Sequence, residues 1–144
     1  MRLAGYQQAM KDAGLKIPRH YVVCGGFLRT PARIAAQKLL KGKNRPSAIF
    51  AASDVMALEV IDVAKTMGLK VPQDLSVIGF DDNPFNASSP VPLSTAYQPL
   101  VEMGRLGVEQ IRQISCAKAK LPVKMLLSAK LCIRSSTAKF IDNQ

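Results

Sequence analysis

The chain has 144 residues, 48% of them hydrophobic and 21% charged, a composition that suits one folded domain and excludes a largely disordered polypeptide. Its net charge of +10 raises the question of nucleic-acid binding, but the charge is uneven: +9 over residues 1–45, −4 over 46–115 and +5 over 116–144. Because the basic residues are scattered without interleaved aromatic residues, we favour a solvated basic surface over a patch that follows a phosphate backbone.

The rare residue types exclude several kinds of site. Cys24, Cys116 and Cys132 are odd in number and have no CxxC spacing, which argues against a disulfide framework and a zinc site. We expect each to be a small buried side chain in a reducing cytosol. The single histidine, His20, lies in a loop-like stretch and leaves no nucleophile–base pair. With no secretory signal and no run of roughly 18–20 apolar residues, we expect a cytoplasmic protein that does not enter a membrane.

The first third of the chain is predicted to contain two helices and a strand. Apolar side chains recur every three to four residues over 3–13, which predicts a helix with one buried face. Residues 21–24 are typical of a short buried strand. Thr30 can then cap a second helix, with Pro31 at its first position.

The middle of the chain predicts a strand, a helix and a second strand. Two apolar runs, at 48–52 and 75–80, are short enough to be buried strands. Between them an apolar helical pattern follows Ser53 and Asp54, and either residue can cap that helix. For Asp54 a capping role is favoured over a role in a site. Asp82 starts an Asp-Asn-Pro sequence, for which a turn is favoured over a ligand role.

The last third begins with a proline-rich loop and a short strand over 93–98. A helix follows from about residue 100 to 116, and residues 123–133 predict a long terminal strand. Because strands and helices alternate and the strands are continuously apolar, we predict a three-layer α/β fold with a mostly parallel sheet.

In a parallel α/β sheet, ligands bind outside the carboxyl ends of the strands. Asp81 lies at such an end, and its carboxylate can accept hydrogen bonds from two hydroxyl groups. Ser53 can donate or accept one more, and Phe27 can cover the apolar face of a sugar or a base, although a core position is more typical of an isolated phenylalanine. Arg2, near the start of the first helix, supplies a planar fork of donors.

The same strand ends could in principle support two other chemistries. Paired acids can bind magnesium for phosphoryl transfer, but that arrangement requires an earlier acidic pair, and residues 20–30 contain no acid. The Gly25-Gly26 pair continues without GxGxxG or GK[ST], so no phosphate loop is predicted. We therefore predict no catalytic residue, no metal site and no cofactor.

Several stretches taken together resemble the LacI/GalR family of transcription regulators. They cover nearly the whole chain in register: 2–6 (RLAGY), 46–58 (PSAIFAASDVMAL), 68–82 (GLKVPQDLSVIGFDD), 92–95 (PLST), 98–100 (QPL), 103–105 (MGR) and 131–137 (LCIRSST). The resemblance implies a periplasmic-binding-protein-like lobe. Residues 1–98 would form the C-terminal lobe of an effector-binding core without its first strand. Residues 99–144 would form a crossover helix and a terminal strand.

The resemblance also implies functions for individual residues. Effector contacts would fall on Arg2, Phe27, Ser53, Asp81 and Gln98. Position 53 is often asparagine in the family, and the shorter serine lacks an amide donor, which bears on which ligand is bound. A homodimer surface would include Met56, Leu58, Ile61, Phe85 and Ser89, for which simple core packing is the alternative.

The implied function is that of a sensor. A small effector, such as a sugar or a nucleoside, would close two lobes and so change the spacing of DNA-binding heads in a dimer. Nothing before Arg2 supplies a helix-turn-helix, so we expect this chain alone not to bind operator DNA. The alternatives are a fragment of a periplasmic-type sugar-binding protein of a transporter and a phosphoryl-transfer or hydrolase domain. We also expect marginal stability or self-association through apolar surface.

Overall fold

The computed structural model describes residues 2–42, 44–116 and 124–140. It contains four helices and four strands within those ranges, with two short 3-10 turns at Arg19–Tyr21 and Pro84–Asn86. In chain order the elements are α1 (Arg2–Asp12), α2 (Arg29–Leu40), β1 (Ala48–Phe50), α3 (Asp54–Thr66), β2 (Ser76–Asp81), β3 (Ser94–Tyr97), α4 (Leu100–Ser115) and β4 (Lys130–Cys132).

The strands form a single sheet in the order β1-β2-β3-β4. The first three strands are parallel, with Phe50 opposite Ile78 and Asp81 opposite Tyr97, and β4 runs antiparallel to β3. The predicted three-layer α/β architecture with a mostly parallel sheet is therefore confirmed. Its consequence for function is that the carboxyl ends of β1, β2 and β3 share one edge.

The core lies between the sheet and the pair α2 and α3. Both helices turn small or branched apolar side chains inward, and β1 and β2 contribute every second residue, as a strand must. The buried apolar residues are Ala32, Ala36, Leu40, Ile49, Ala51, Met56, Ala57, Val60, Val63, Ala64, Leu75, Val77 and Leu93. This packing fixes the start of α3 at the carboxyl edge of the sheet.

Two predictions about the helices of the first third are wrong. α1 has no buried residue, because its inner face lies over a cavity of about 630 Å³ instead of against packed side chains. α2 begins at Arg29, so Thr30 and Pro31 lie inside its first turn; its N-cap is Leu28, whose side chain makes no capping hydrogen bond. The Leu28 N–H donates to the Gly25 carbonyl instead, and that turn sets where the helix starts.

The predicted strand at residues 21–24 is not formed. Tyr21 ends a 3-10 turn, and the backbone at Val22 is extended but carries no strand ladder. The same cavity is lined by this segment and by β1, so the two do not pair. An apolar run predicts burial, whereas a strand requires a hydrogen-bonded neighbour, and the sequence pattern reports only the first.

The terminal strand and the cysteines also differ from expectation. β4 is only three residues long, residues 124–129 are not in a strand, and Val123 lies outside the described residues. Cys24 and Cys116 are exposed and Cys132 is half-buried, so the expectation of three buried thiols is wrong. Within the described residues, no helix is long and apolar enough to cross a membrane.

Candidate functional site

Three residues predicted for the site meet at the end of β2. The Asp81 Oδ1 atom accepts hydrogen bonds from Arg2 Nη2 at 3.1 Å and from Gln98 Nε2 at 2.6 Å. Arg2 begins α1 and Gln98 follows β3, so the contact joins three separate parts of the chain. Both members of the ion pair keep a little under a third of their side-chain surface exposed, and the charges therefore face solvent at a rim.

The Arg2 guanidinium is held by two further contacts that the sequence analysis missed. Its Nη1 donates to the Ala52 carbonyl just beyond β1, and its Cζ lies 3.9 Å from the centre of the Phe80 ring. The alternation of β2 could have indicated Phe80, since Val77 and Gly79 face the core and their neighbours must face the other side. The planar guanidinium is thus fixed in orientation, as a lysine would not be.

Phe27 stands at the edge of this group. It is 60% exposed, which excludes the alternative of a core position, and its ring centre lies 6.0 Å from the Arg2 Cζ atom. Its φ of 56° follows Gly26 at 60°, so two successive residues adopt the left-handed backbone conformation. That conformation is costly for an aromatic residue and is typical of functional sites, where the surrounding structure maintains it.

Ser53 and Asp54 divide their roles differently from expectation. Ser53 is the N-cap of α3, where its Oγ accepts from the Met56 N–H at 3.3 Å, and it is buried. Asp54 does not cap the helix. Its fully buried carboxylate accepts hydrogen bonds from the loop after β2 and from β3, so the expectation of a capping role is wrong. The proposed contact of Ser53 with a ligand stays a prediction.

The neighbouring Asp82 has an ionic partner that the sequence did not reveal. Its Oδ1 accepts from Arg134 Nη2 at 2.8 Å, and the Cys132 thiol lies 3.6 Å from its Oδ2. Burial, followed by the adjacent Asp82 charge, raises the pKa of the Cys132 thiol above its ordinary value. Asp82 therefore ties the terminal segment to the end of β2, and the turn predicted to start at Asp82 begins at Asn83 instead.

The rim formed by Arg2, Phe27, Asp81 and Gln98 suits a small polar ligand with an apolar face. Among the described residues no hydrogen bond engages the Asp81 Oδ2 atom, so it can accept from a ligand hydroxyl. Arg2 offers donors beside it, and the exposed Phe27 ring offers an apolar surface. This combination can bind and orient a ligand.

The cavity beneath α1 adjoins this rim but has a different character. Its walls include Arg2 and Phe27 at one end, and apolar residues of α1, α2 and β1 elsewhere. Ile49 and Ala51 direct their backbone groups to β2, so the N–H and C=O groups of Ala48 and Phe50 point into the cavity. It is therefore an apolar slot along a strand edge rather than a pocket lined by converging polar side chains.

The predicted dimer residues occupy different environments. Met56 belongs to the buried core and lies against Gly25, so its assignment to an exposed surface is corrected. Leu58 and Ile61 are half-buried against the same core. Phe85 is 47% exposed, and the Ser89 hydroxyl donates to its own loop. Within residues 2–42, 44–116 and 124–140, no three His, Cys, Asp or Glu side chains are grouped closely enough to hold a metal ion.

Comparisons with known proteins agree with this fold. A family model described as a periplasmic binding protein-like domain matches residues 1–137. The chain is 37% identical to the HTH-type transcriptional regulator DegA of Bacillus subtilis, over 95% of this chain and 40% of DegA. It is 38% identical to the HTH-type transcriptional repressor CytR of Escherichia coli, over 94% of this chain and 40% of CytR. The chain thus spans about two-fifths of the length of these relatives.

A solved structure described as a complex of the transcriptional regulator CelR with cellobiose is similar in fold. It superimposes with a TM-score of 0.89 and 31% sequence identity, over 94% of this chain and 41% of that one. A regulatory protein of the LacI family from Chloroflexus aggregans superimposes with a TM-score of 0.87 and 34% identity, over 95% of this chain and 50% of that one.

Proposed function

This chain belongs to the LacI family of transcriptional regulators, in the part formed by their periplasmic-binding-protein-like domain, and from that premise we propose that it senses a small hydroxyl-rich effector. A sugar or a nucleoside would suit the rim. Its contacts would be Arg2, Phe27, Ser53, Asp81 and Gln98.

One observation carries this proposal: the partly exposed Asp81 carboxylate is oriented by Arg2 and Gln98 through a single oxygen. Its other oxygen is then directed by the protein and available to hydroxyl groups, which bind a charged acceptor more strongly than a neutral one. Binding displaces water from both the carboxylate and the ligand. A carboxylate that is already oriented loses less conformational entropy on binding, which favours the ligand.

Two further observations support a sugar-like or nucleoside-like ligand. The Phe27 ring is exposed beside the ion pair, and such a ring can cover the apolar face of a sugar or a base. The similar CelR structure is described as a cellobiose complex, which makes a hydroxyl-rich ligand a reasonable choice for this chain too.

The arrangement of the whole protein is part of the proposal. Residues 1–98 would form one lobe whose sheet accepts a further strand in the apolar slot, since unpaired backbone groups of β1 line it. Residues 99–144 would cross towards a second lobe. The relatives are helix-turn-helix regulators by name and are longer than this chain, so operator DNA would contact a part outside the matched region, in the cytoplasm.

The effector would act through differential affinity. If it binds the closed arrangement of two lobes more tightly than the open one, it shifts the population towards the closed state. In a homodimer that includes Leu58, Ile61, Phe85 and Ser89 at its surface, this shift would change the spacing of the DNA-binding heads.

The test is a thermal-shift screen of sugars and nucleosides, including cellobiose and adenosine, on the full-length protein that contains this sequence, followed by calorimetry on each hit. Asp81→Asn is expected to weaken binding by about 10- to 100-fold, because a charged acceptor is lost. Asp12→Asn is the matched control, since Asp12 is an exposed aspartate at the far end of α1. Ligands whose affinity is unchanged in Asp81→Asn, or the absence of any binding ligand, would contradict the proposed site.

The two alternatives have less support. A transporter's sugar-binding protein is not favoured, because the matching relatives are transcription regulators by name. A phosphoryl-transfer or hydrolase domain has no specific observation behind it, and magnesium-dependent activity lost in Asp81→Asn would be the sign of one.

A further inference from the structure

The most unusual polar group in the described part of the chain is the carboxylate of Asp54. It is fully buried at the first position of α3, and its oxygens receive only hydrogen bonds, without a cationic partner among the described residues. A buried carboxylate is costly unless every oxygen is satisfied. The N-terminus of α3 reduces that cost, because the helix dipole favours negative charge there.

Two of its contacts lie on the loop that follows β2. Asp54 Oδ2 accepts from the Asn83 N–H at 2.8 Å and from Asn86 Nδ2 at 2.6 Å. Asn86 is itself fully buried, and its Nδ2 rather than its Oδ1 must face the carboxylate, since two oxygens would repel. One oxygen therefore ties both ends of the Asn83–Asn86 turn to the start of α3.

The other oxygen reaches the same loop through β3. Asp54 Oδ1 accepts from Thr95 Oγ1 at 2.6 Å, and this hydroxyl oxygen in turn accepts from the Asp82 N–H at 3.4 Å. Because the Thr95 hydroxyl donates its proton to Asp54, the hydroxyl oxygen can accept a hydrogen bond from the Asp82 N–H. Asp54 thus sets the direction of the hydrogen bond that restrains the backbone next to Asp81.

The restrained backbone is strained. Asp81 has φ of 122° and Asp82 has φ of 58°, two successive values that residues with side chains rarely adopt. Such a conformation persists only when the surroundings enforce it. The carboxylates of the same two residues have different partners: Asp81 contacts Arg2 and Gln98, and Asp82 contacts Arg134.

We propose that Asp54 is the positioning residue of the effector site: its buried carboxylate, working through Thr95 and the Asn83–Asn86 turn, holds the strained Asp81–Asp82 backbone so that the Asp81 carboxylate faces the ligand. This inference rests on the proposed function for its ligand, while the restraint of the turn can be measured without one. Because Asp54 begins α3 and the loop carries Phe85, the same hydrogen bonds join the rim to the proposed dimer surface.

The test compares four variants of the full-length protein: Asp54→Asn, Thr95→Val, Thr95→Ser and Asp81→Asn. Thr95→Val removes the hydroxyl at nearly constant shape, whereas Thr95→Ser keeps it and serves as the conservative rescue. With cellobiose or whichever other probe binds the unaltered protein, Asp54→Asn and Thr95→Val are expected to weaken binding about tenfold, and Thr95→Ser to restore it.

Non-additivity separates positioning from general loss of structure. In a double-mutant cycle, adding Thr95→Val to Asp81→Asn is expected to weaken binding little further, because both changes act through one carboxylate. Full additivity would overturn the proposal. If Asp54→Asn fails to fold, the comparison of Thr95→Val with Thr95→Ser still tests the positioning role.

Amide hydrogen exchange gives the outcome that does not depend on a ligand. Exchange at Asp82 and Asn83 is expected to accelerate about tenfold in Thr95→Val, while the amide of the core strand residue Val77, which donates to the Ser136 carbonyl, keeps its protection. Unchanged exchange at Asp82 and Asn83 would overturn the positioning role. Absence of binding by the unaltered protein, with accelerated exchange in the variant, would instead contradict the proposed function and leave the restraint of the turn supported.

Discussion

The guanidinium of Arg2, at the first position of α1, lies 3.1 Å from the carboxylate of Asp81, at the last position of β2. The pair joins residues 79 positions apart, across the edge of the sheet where ligands of α/β proteins bind. Neither partner is deeply buried, so the pair contributes little to stability and its importance lies in orientation.

Arg2→Lys tests that orientation. Lysine keeps the positive charge but cannot serve both Asp81 and the Ala52 carbonyl with a planar fork, nor lie flat on the Phe80 ring. We expect effector affinity to fall about tenfold by calorimetry, which corresponds to ~1.4 kcal/mol. Arg19→Lys, at an exposed position, is the control. Equal affinities of the two variants would show that the fork of Arg2 is dispensable.

Ser136→Ala is expected to destabilise the chain. The Ser136 hydroxyl is fully buried, donates to the Val77 carbonyl at 2.6 Å and accepts from the Ser94 N–H at 2.8 Å. Its loss leaves both backbone groups unsatisfied and costs about 1–3 kcal/mol in free energy of unfolding, measured by urea denaturation with circular dichroism. The exposed neighbour Ser135→Ala should change stability by less than about 0.5 kcal/mol. A similar loss from both would refute the assignment.

Gly79→Ala and Gly104→Ala should act in opposite directions. A Cβ on Gly79 would clash with Asp54 Oδ1 and crowd Leu93, so we expect a loss of about 1–3 kcal/mol in the free energy of unfolding. Gly104 lies inside α4 with open space around it, and alanine there should stabilise by about 0.5–1 kcal/mol through helix propensity. Urea denaturation checks both, and stabilisation by Gly79→Ala would contradict the close approach of Asp54 to β2.

Cys132 should be the slowest cysteine to react with iodoacetamide. Burial and the Asp82 charge raise its thiol pKa, so at pH 8 a smaller fraction is the reactive thiolate. Cys24 and Cys116 are exposed and should be alkylated several-fold faster, as followed by mass spectrometry of tryptic peptides. Asp82→Asn should speed the reaction at Cys132 alone. Equal rates at all three cysteines would mean that Cys132 is not shielded.

The 144-residue chain by itself should self-associate or be marginally stable. α4 has no buried residue, and Val101 is 88% exposed and Ile111 66% exposed on it. We expect the apparent mass from light scattering to rise with concentration, and Ile111→Lys to shift the chain towards the monomer. Ser115→Lys, which adds the same charge at an exposed polar position of the same helix, is the control. A monodisperse monomer with a cooperative melt at high temperature would contradict this prediction.

The order of the helices and strands could be predicted from the sequence where a single element buries one face against a neighbour. β1, β2 and α3 were predicted to within two residues, because their apolar spacing matches the strand and helix periods and the flanking residues are turn formers. The strand expected at 21–24 failed because a ladder requires a partner, and the buried face expected of α1 failed because packing requires a surface opposite it.

For the candidate site, too, some features could be predicted from the sequence and others depended on tertiary packing. The sequence alone determined that Asp81 stands at the carboxyl end of a strand, and its resemblance to a family grouped Asp81 with Arg2 and Gln98. Local spacing is sufficient to place Asp81 at a strand end, since strand and helix periods are set by the backbone. Only the tertiary structure decided that Ser53 caps α3 while Asp54 turns inward to the loop after β2, and that Phe80 lies under Arg2. Asp54 and Asn83 are 29 positions apart and Phe80 and Arg2 are 78, and a side chain's partner at that separation is fixed by how the layers pack, which no local pattern reports.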